Sequence, residues 1–195
     1  MELERGALPP WRGRGAGGPD DLASAAVALG EFLAALHVPA PPDAPVNPFR
    51  GGPLASRASR VTEHLGLVAS GTEAGAARAI WDSAADAEPW AGPPAWVHGD
   101  LHPANILVNA GQISAVIDFG DLTSGDPAND LSVAWMLLPA KERAIFWQAY
   151  GQADDHTRAR ARGWALSLAL AFLAHSADNP LMAQIGTHTF REVLR

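Results

Sequence analysis

The sequence predicts an α+β domain that is mostly helical, with one small β-hairpin set between two blocks of helices. Three observations carry this. Alanine dominates the composition and the 195 residues include a single tyrosine, a balance that suits packed helices better than a β-sandwich. Apolar residues recur at helical spacing before Trp96 and again after Pro127. Between these blocks, two β-rich runs flank the dipeptide Ala110-Gly111, the pattern of a tight hairpin.

Residues 1–19 are rich in Gly, Pro and Arg without periodicity and read as an irregular lead-in to a unit spanning 20–195. Asp20-Asp21 offers an N-cap, and Leu22, Ala26, Leu29, Leu33 and Leu36 mark a first helix that must stop before Pro39. The run Pro39–Pro48 cannot be helical and reads as a surface connection. Leu54, Ala58, Val61 and Leu65 mark a second helix, and Ala77, Ile80, Trp81 and Ala84 a third; Glu88–Pro94 is a proline-rich turn. Trp96-Val97-His98 reads as a short strand. Asn105–Asn109 and Ile113–Phe119 form the two arms of the hairpin. After Gly125-Asp126-Pro127 the helical period returns, with helices expected near 128–138, 141–150, 155–175 and 181–194.

Composition excludes several function classes. There is no cysteine, hence no disulfide framework, no thiol nucleophile and no cysteine-ligated metal. The formal net charge of −7 argues against an electrostatic grip on nucleic acid and favours a cationic small molecule. The longest apolar stretch, Trp164 to Ala174, is far short of the roughly 20 residues a bilayer needs, and the N-terminus lacks a signal-peptide layout, so a cytoplasmic protein without membrane contact is expected. Of the 14 basic residues only Lys141 is a lysine, so no mechanism here can draw on a lysine in the first half of the chain.

The chemistry concentrates in His98-Gly99-Asp100-Leu101-His102-Pro103-Ala104-Asn105 and Ile117-Asp118-Phe119-Gly120-Asp121. Asp100 follows a strand. Asn105 opens the hairpin and Asp118 ends its second arm, which brings the two side chains to one end. A carboxamide oxygen and a carboxylate, completed by phosphate oxygens and water, suit Mg²⁺. A second carboxylate not spent on metal can orient a hydroxyl and accept its proton. Those are the parts of a phosphoryl-transfer site. The plain alternative for Asp100 is a loop aspartate capping a turn, and for Asp118 a strand-end turn residue.

HGDLHPANIL followed by IDFGD resembles the catalytic loop and metal loop of the aminoglycoside phosphotransferase family, a branch of the protein-kinase-like fold. The resemblance implies that Asp100 is the catalytic aspartate, that Asn105 and Asp118 bind magnesium, and that ATP is the phosphoryl donor. It implies that Asp130, in the segment Gly125-Asp126-Pro127 to Asp130-Leu131, buttresses the catalytic loop. His98, His102 and Asp121 would support the site from close by. Related enzymes act on choline, homoserine, fructosamines and methylthioribose. The acidic balance favours a small-molecule hydroxyl substrate of the cationic aminosugar kind. Asp154, Asp155, Asp178 and Glu192, on or near the late helices, stand where the family draws acids for such sugars; a solvated helix face or an N-cap is the plainer reading of each.

The chain also departs from the family. Kinase-like enzymes carry a preceding β-rich nucleotide lobe with a lysine paired to a helix glutamate. Residues 1–95 read instead as helices and proline loops without a lysine, so the expectation is the C-terminal lobe with the N-terminal nucleotide lobe absent. The run Arg12-Gly13-Arg14-Gly15-Ala16-Gly17-Gly18 lacks the strand and the G-K-[ST] ending of a phosphate loop. Two rival readings stand beside the phosphotransferase: a catalytically silent lobe that binds a partner or metal, and a metal-dependent hydrolase in which the alternating His98, Asp100 and His102 hold zinc. Pro103 interrupts the continuous strand the latter needs.

Overall fold

The computed structural model describes residues 12–13 and 21–195. The lead-in expected over 1–19 therefore lies outside the described residues, except for Arg12–Gly13 (β1). Asp21 caps the first helix, α1 (Leu22–Leu36), by accepting from the Ala23 amide at 2.9 Å. A 3₁₀ turn over Leu54–Arg57 leads into α2 (Ala58–Val68), and α3 (Gly71–Ala85) follows. Leu54 therefore sits on the entry turn and not on the second helix itself. The middle of the chain holds β2 (Ala95–Val97), β3 (Ile106–Asn109), β4 (Gln112–Val116) and β5 (Thr123–Gly125). Five helices complete it: α4 (Ala128–Leu131), α5 (Val133–Leu137), α6 (Ala140–Tyr150), α7 (Asp155–His175) and α8 (Pro180–Leu194).

The core is built on α7, whose residues from Gly163 to Leu170 are all buried. Its alanines at 161, 165 and 169 are fully buried and let α2, α3, α4 and α8 approach closely. Asp154 and Asn179 cap α7 and α8, accepting from Thr157 N at 2.7 Å and Met182 N at 3.3 Å. α1 packs on α6, which ends at Gly151 with φ +72°. No helix among the described residues is long and apolar enough to cross a membrane.

The mostly helical α+β class holds, but the β content exceeds one hairpin. β3 and β4 pair antiparallel around Ala110-Gly111, and β1 adds parallel to β3 with Arg12 opposite Leu107. A second, two-stranded sheet pairs β2 with β5, Trp96 facing Ser124. Thr123-Ser124-Gly125 carries no apolar alternation, so this strand has no signature of its own; its pairing is a tertiary effect. β4 stops at Val116, not at residue 119, because Asp118 adopts a left-handed conformation (φ +66°) that ends the ladder. The helix expected over 128–138 breaks at Ser132, whose hydroxyl donates to the Asn129 carbonyl at 2.6 Å, a back-bond that bends helices.

The proline-rich segment after α1 is more than a surface connection. It runs along the β2–β5 sheet as a strap. Trp96 N donates to Val38 O, Ala40 N to Pro94 O, Ser124 N to Pro45 O and Asp126 N to Gly51 O, at 2.7–3.0 Å.

One buried ion pair ties α6 to α8. Arg143 Nη1 lies 2.7 Å from Glu192 Oε2, and the same nitrogen donates to Leu138 O. Removing one partner of such a pair strands the other charge. Arg143→Met is therefore expected to lower the unfolding free energy by about 3 kcal/mol in urea titration. The double variant Arg143→Met/Glu192→Met should regain most of it; equal losses in single and double variants would contradict the assignment.

Candidate active site

β2 delivers the chain into the His98–Asn105 loop, and the loop's first two amides are held by one carboxylate. His98 N donates to Asp130 Oδ2 at 2.6 Å and Gly99 N to Asp130 Oδ1 at 3.0 Å. Gly99 has φ +86°, and a Cβ there would lie 2.4 Å from the Asp121 carbonyl, so the position demands glycine. The His98 ring is fully engaged. Its Nε2 faces the Ile117 carbonyl at 2.9 Å and must donate, which leaves Nδ1 to accept the Asp100 amide at 3.2 Å. Neither nitrogen is free to ligate zinc, and among the described residues no group of three metal-ligating side chains forms.

Asp100 is half-buried. Arg50 Nη2 donates to its Oδ1 at 2.9 Å, and His102 Nε2 lies 3.5 Å from its Oδ2. The His102 hydrogen bond and, with it, the Arg50 charge hold the carboxyl below the usual aspartate range against the opposing effect of partial burial. The Arg50 contact is the tighter of the two. Arg50 also donates through Nε to Asp121 Oδ2 at 3.2 Å, and Asn47 donates to Asp121 Oδ1 at the same distance. Asp121 therefore anchors the strap and does not point free toward a metal.

Asn105 is buried. Its Nδ2 donates to the Asp100 carbonyl at 2.9 Å, and its own carbonyl accepts Ile117 N at 2.9 Å. Ile117 thus bonds to both Asn105 and His98, and Asp118 follows it directly. The Asn105 Oδ1 takes no hydrogen bond among the described residues, and Asp118 is exposed with its carboxylate likewise unpartnered. Asp118 adopts the left-handed conformation (φ 66°, ψ 61°), which few residues other than glycine, asparagine and aspartate visit.

Sequence reasoning missed Arg50, which lies on the strap 50 residues before Asp100. A lone arginine after a proline run carries no signal. It also missed His37 and Tyr150: His37 Nε2 donates to Asp130 Oδ2 at 3.3 Å while Tyr150 Oη lies 3.0 Å from His37 Nδ1. Burial and the nearby Asp126 and Asp130 charges push the Tyr150 hydroxyl pKa up, so it stays protonated.

Residues 5–164 match the profile of the phosphotransferase enzyme family. The chain belongs to that family. A curated relative, the uncharacterized protein YcbJ of Bacillus subtilis (strain 168), is 28% identical over 100 residues, 51% of this chain and 33% of its own length. Among solved structures, macrolide 2′-phosphotransferase type I superposes with a TM-score of 0.59 at 17% identity, over 95% of this chain and 66% of that one. The GDP complex of aminoglycoside 2′-phosphotransferase-IIIa gives 0.54 at 19% identity, over 91% and 64%. At these identities the likeness shows the kinase-like phosphotransferase fold. The chain spans about a third of the curated relative and somewhat under two thirds of each of these structures.

Arg50→Gln removes a positive neighbour from Asp100, so the Asp100 carboxyl should titrate at higher pH than in the wild type, read from its ¹³C resonance. A depressed folded-state pKa contributes stability above the unfolded aspartate pKa and loses it as pH falls through the folded value. The stability gap between wild type and Arg50→Gln should accordingly be present at pH 7 and close in acid. An unmoved Asp100 titration would contradict the ion pair.

Proposed function

We propose that this chain carries the catalytic lobe of a magnesium-dependent phosphotransferase that moves the γ-phosphoryl group of ATP to a hydroxyl of a small molecule. One observation supports this most. A closed ring of hydrogen bonds runs from the Asp100 amide through the His98 ring to Ile117, on to the Asn105 carbonyl, and back through Asn105 Nδ2 to Asp100 O. It fixes the catalytic and metal loops as one unit while leaving the Asn105 Oδ1 and the Asp118 carboxylate unspent.

That donor set, two hard oxygens on fixed backbone, fits Mg²⁺ and suits zinc poorly. Bound there, the ion would neutralise charge on the phosphate oxygens. Asp100, held ionised by His102 and Arg50, orients the acceptor hydroxyl and receives its proton as the oxygen–phosphorus bond forms and the bond to the β-phosphate oxygen breaks. Asp130 acts on none of the reacting atoms; it holds the amides that set the Asp100 backbone. A lobe that binds without turnover is the second reading, supported by Arg50 already sitting on Asp100 Oδ1.

The metal assignment is tested on the chain by titrating Mn²⁺ and following paramagnetic broadening. Broadening should centre on Asn105 and Asp118 at millimolar metal, on the order of 10⁻³ M for two protein ligands. ATP should lower that concentration, and Asp118→Asn should remove the effect. Broadening centred on His98 and His102 would favour the hydrolase. Any ATP-dependent phosphorylation should fall about 10²- to 10⁴-fold in Asp100→Asn, the usual weight of a positioned base; a variant that keeps full turnover would overturn its role.

A further inference from the structure

Beside the strap lies a cavity of about 420 Å³ that the catalytic residues do not line. Its walls are apolar: Leu54 and Ala55 from the 3₁₀ turn, Ala85 from the end of α3, and Pro89 and Trp90 from the loop after it. The Trp90 indole is a fixed surface. Its Nε1 donates to the Pro93 carbonyl at 2.9 Å, and the ring packs so close over Gly92 that a Cβ there would meet it at 2.4 Å.

The charged side chains lining the cavity are Asp126 and Arg160, and they neutralise one another. Arg160 Nε lies 2.8 Å from Asp126 Oδ2 and Nη2 lies 3.3 Å from Oδ1; Oδ1 also takes the Ala128 amide. Both are buried. None of the late acids Asp154, Asp155, Asp178 and Glu192 lines this cavity. Glu192 is paired with Arg143 and Arg195, Asp154 caps α7, and Asp155 is almost fully exposed beside Arg158. The cavity wall and the Asp100 site meet at adjacent residues: Gly51 lines the cavity and Arg50 bonds Asp100. An ammonium passing between them would meet a guanidinium already in possession of the carboxylate.

We propose that this cavity seats the body of the acceptor, and that the acceptor is a neutral, largely apolar alcohol and not a polycationic sugar. The inference rests on the phosphotransferase reading for the word acceptor; the seat and its preference for a neutral occupant stand on the cavity itself. Burial of apolar surface against Trp90, Leu54 and Pro89 supplies the attraction, and the spent Asp126 offers a cation no compensation.

The test is an amide and indole NMR titration of the chain with 2-cyclohexylethanol and, as its matched cation, 2-cyclohexylethylammonium at pH 7. The alcohol should shift Trp90 Nε1–H, the Gly51 and Gly125 amides and the Arg50 Nε–H saturably, with the ammonium at least tenfold weaker. Ala55→Trp and Ala85→Trp, at exposed positions on the cavity wall, should each abolish those shifts while the core resonances stay in place. Equal or tighter binding of the ammonium, shifts outside the cavity, an unmoved Arg50 Nε–H at saturation, or undiminished binding in both tryptophan variants would overturn the proposal. Binding of the alcohol by a chain in which Mn²⁺ fails to broaden Asn105 and Asp118 would count against the chemistry of the preceding subsection and leave the seat standing.

Discussion

Asp130 is wholly buried and still keeps its charge satisfied, because four N–H groups converge on it, two to each oxygen: His98 N and His37 Nε2 on Oδ2, Gly99 N and Asn129 Nδ2 on Oδ1. A carboxylate stripped of water is costly unless its lone pairs are filled in this way. The constraint reaches in three directions. It fixes the first turn of the His98–Asn105 loop, it draws the end of α1 inward through His37, and through Tyr150 it engages α6. Asn129, which donates also to Gly99 O at 3.1 Å, closes the same loop from the other side. The placement of Asp100 follows from these bonds, since its backbone begins where theirs end.

The second constraint is the close passage of the strap over the β2–β5 sheet. A Cβ on Gly125 would lie 2.1 Å from the Gly51 carbonyl, and Asp126 N donates to that carbonyl at 2.7 Å. Two glycines thus let the strap lie flat. At that point the chain does two things at adjacent residues: Arg50 turns to Asp100 and Asp121, while Gly51 lines the apolar cavity. The Asp100 carboxylate and the cavity are therefore set by one crossing, and Asp126, with Arg160, anchors it from below.

The helices were legible because each has a local cause: Asp21 and Asp154 as caps, Pro39 as a stop, the spacing of Leu22 to Leu36 and the apolar run of α7. The motif residues were legible by their types and intervals, and the tight turn at Ala110-Gly111 by its composition. The rest was not, for reasons that are physical. β5 is three polar or small residues whose strand character comes wholly from pairing with β2. The left-handed Asp118 shortens β4 against the apolar pattern of Ile113–Phe119. Arg50 reaches Asp100 across 50 residues of chain, and His37 reaches Asp130 across 93; contacts of that separation leave no trace in local spacing. Glu192 gave no sign in the sequence of its buried pairing, because its partner Arg143 lies on another helix.

The central claim, that the Asp130 carboxylate holds the His98–Asn105 loop, is tested most directly by amide hydrogen exchange in Asp130→Asn. A hydrogen bond to a charged group is worth about 1.5–3 kcal/mol, which corresponds to roughly a tenfold to hundredfold change in protection. The account predicts a loss of that size at the His98 and Gly99 amides, with the amides of α7 and α8 exchanging as before. Unchanged protection at His98 and Gly99 would contradict it.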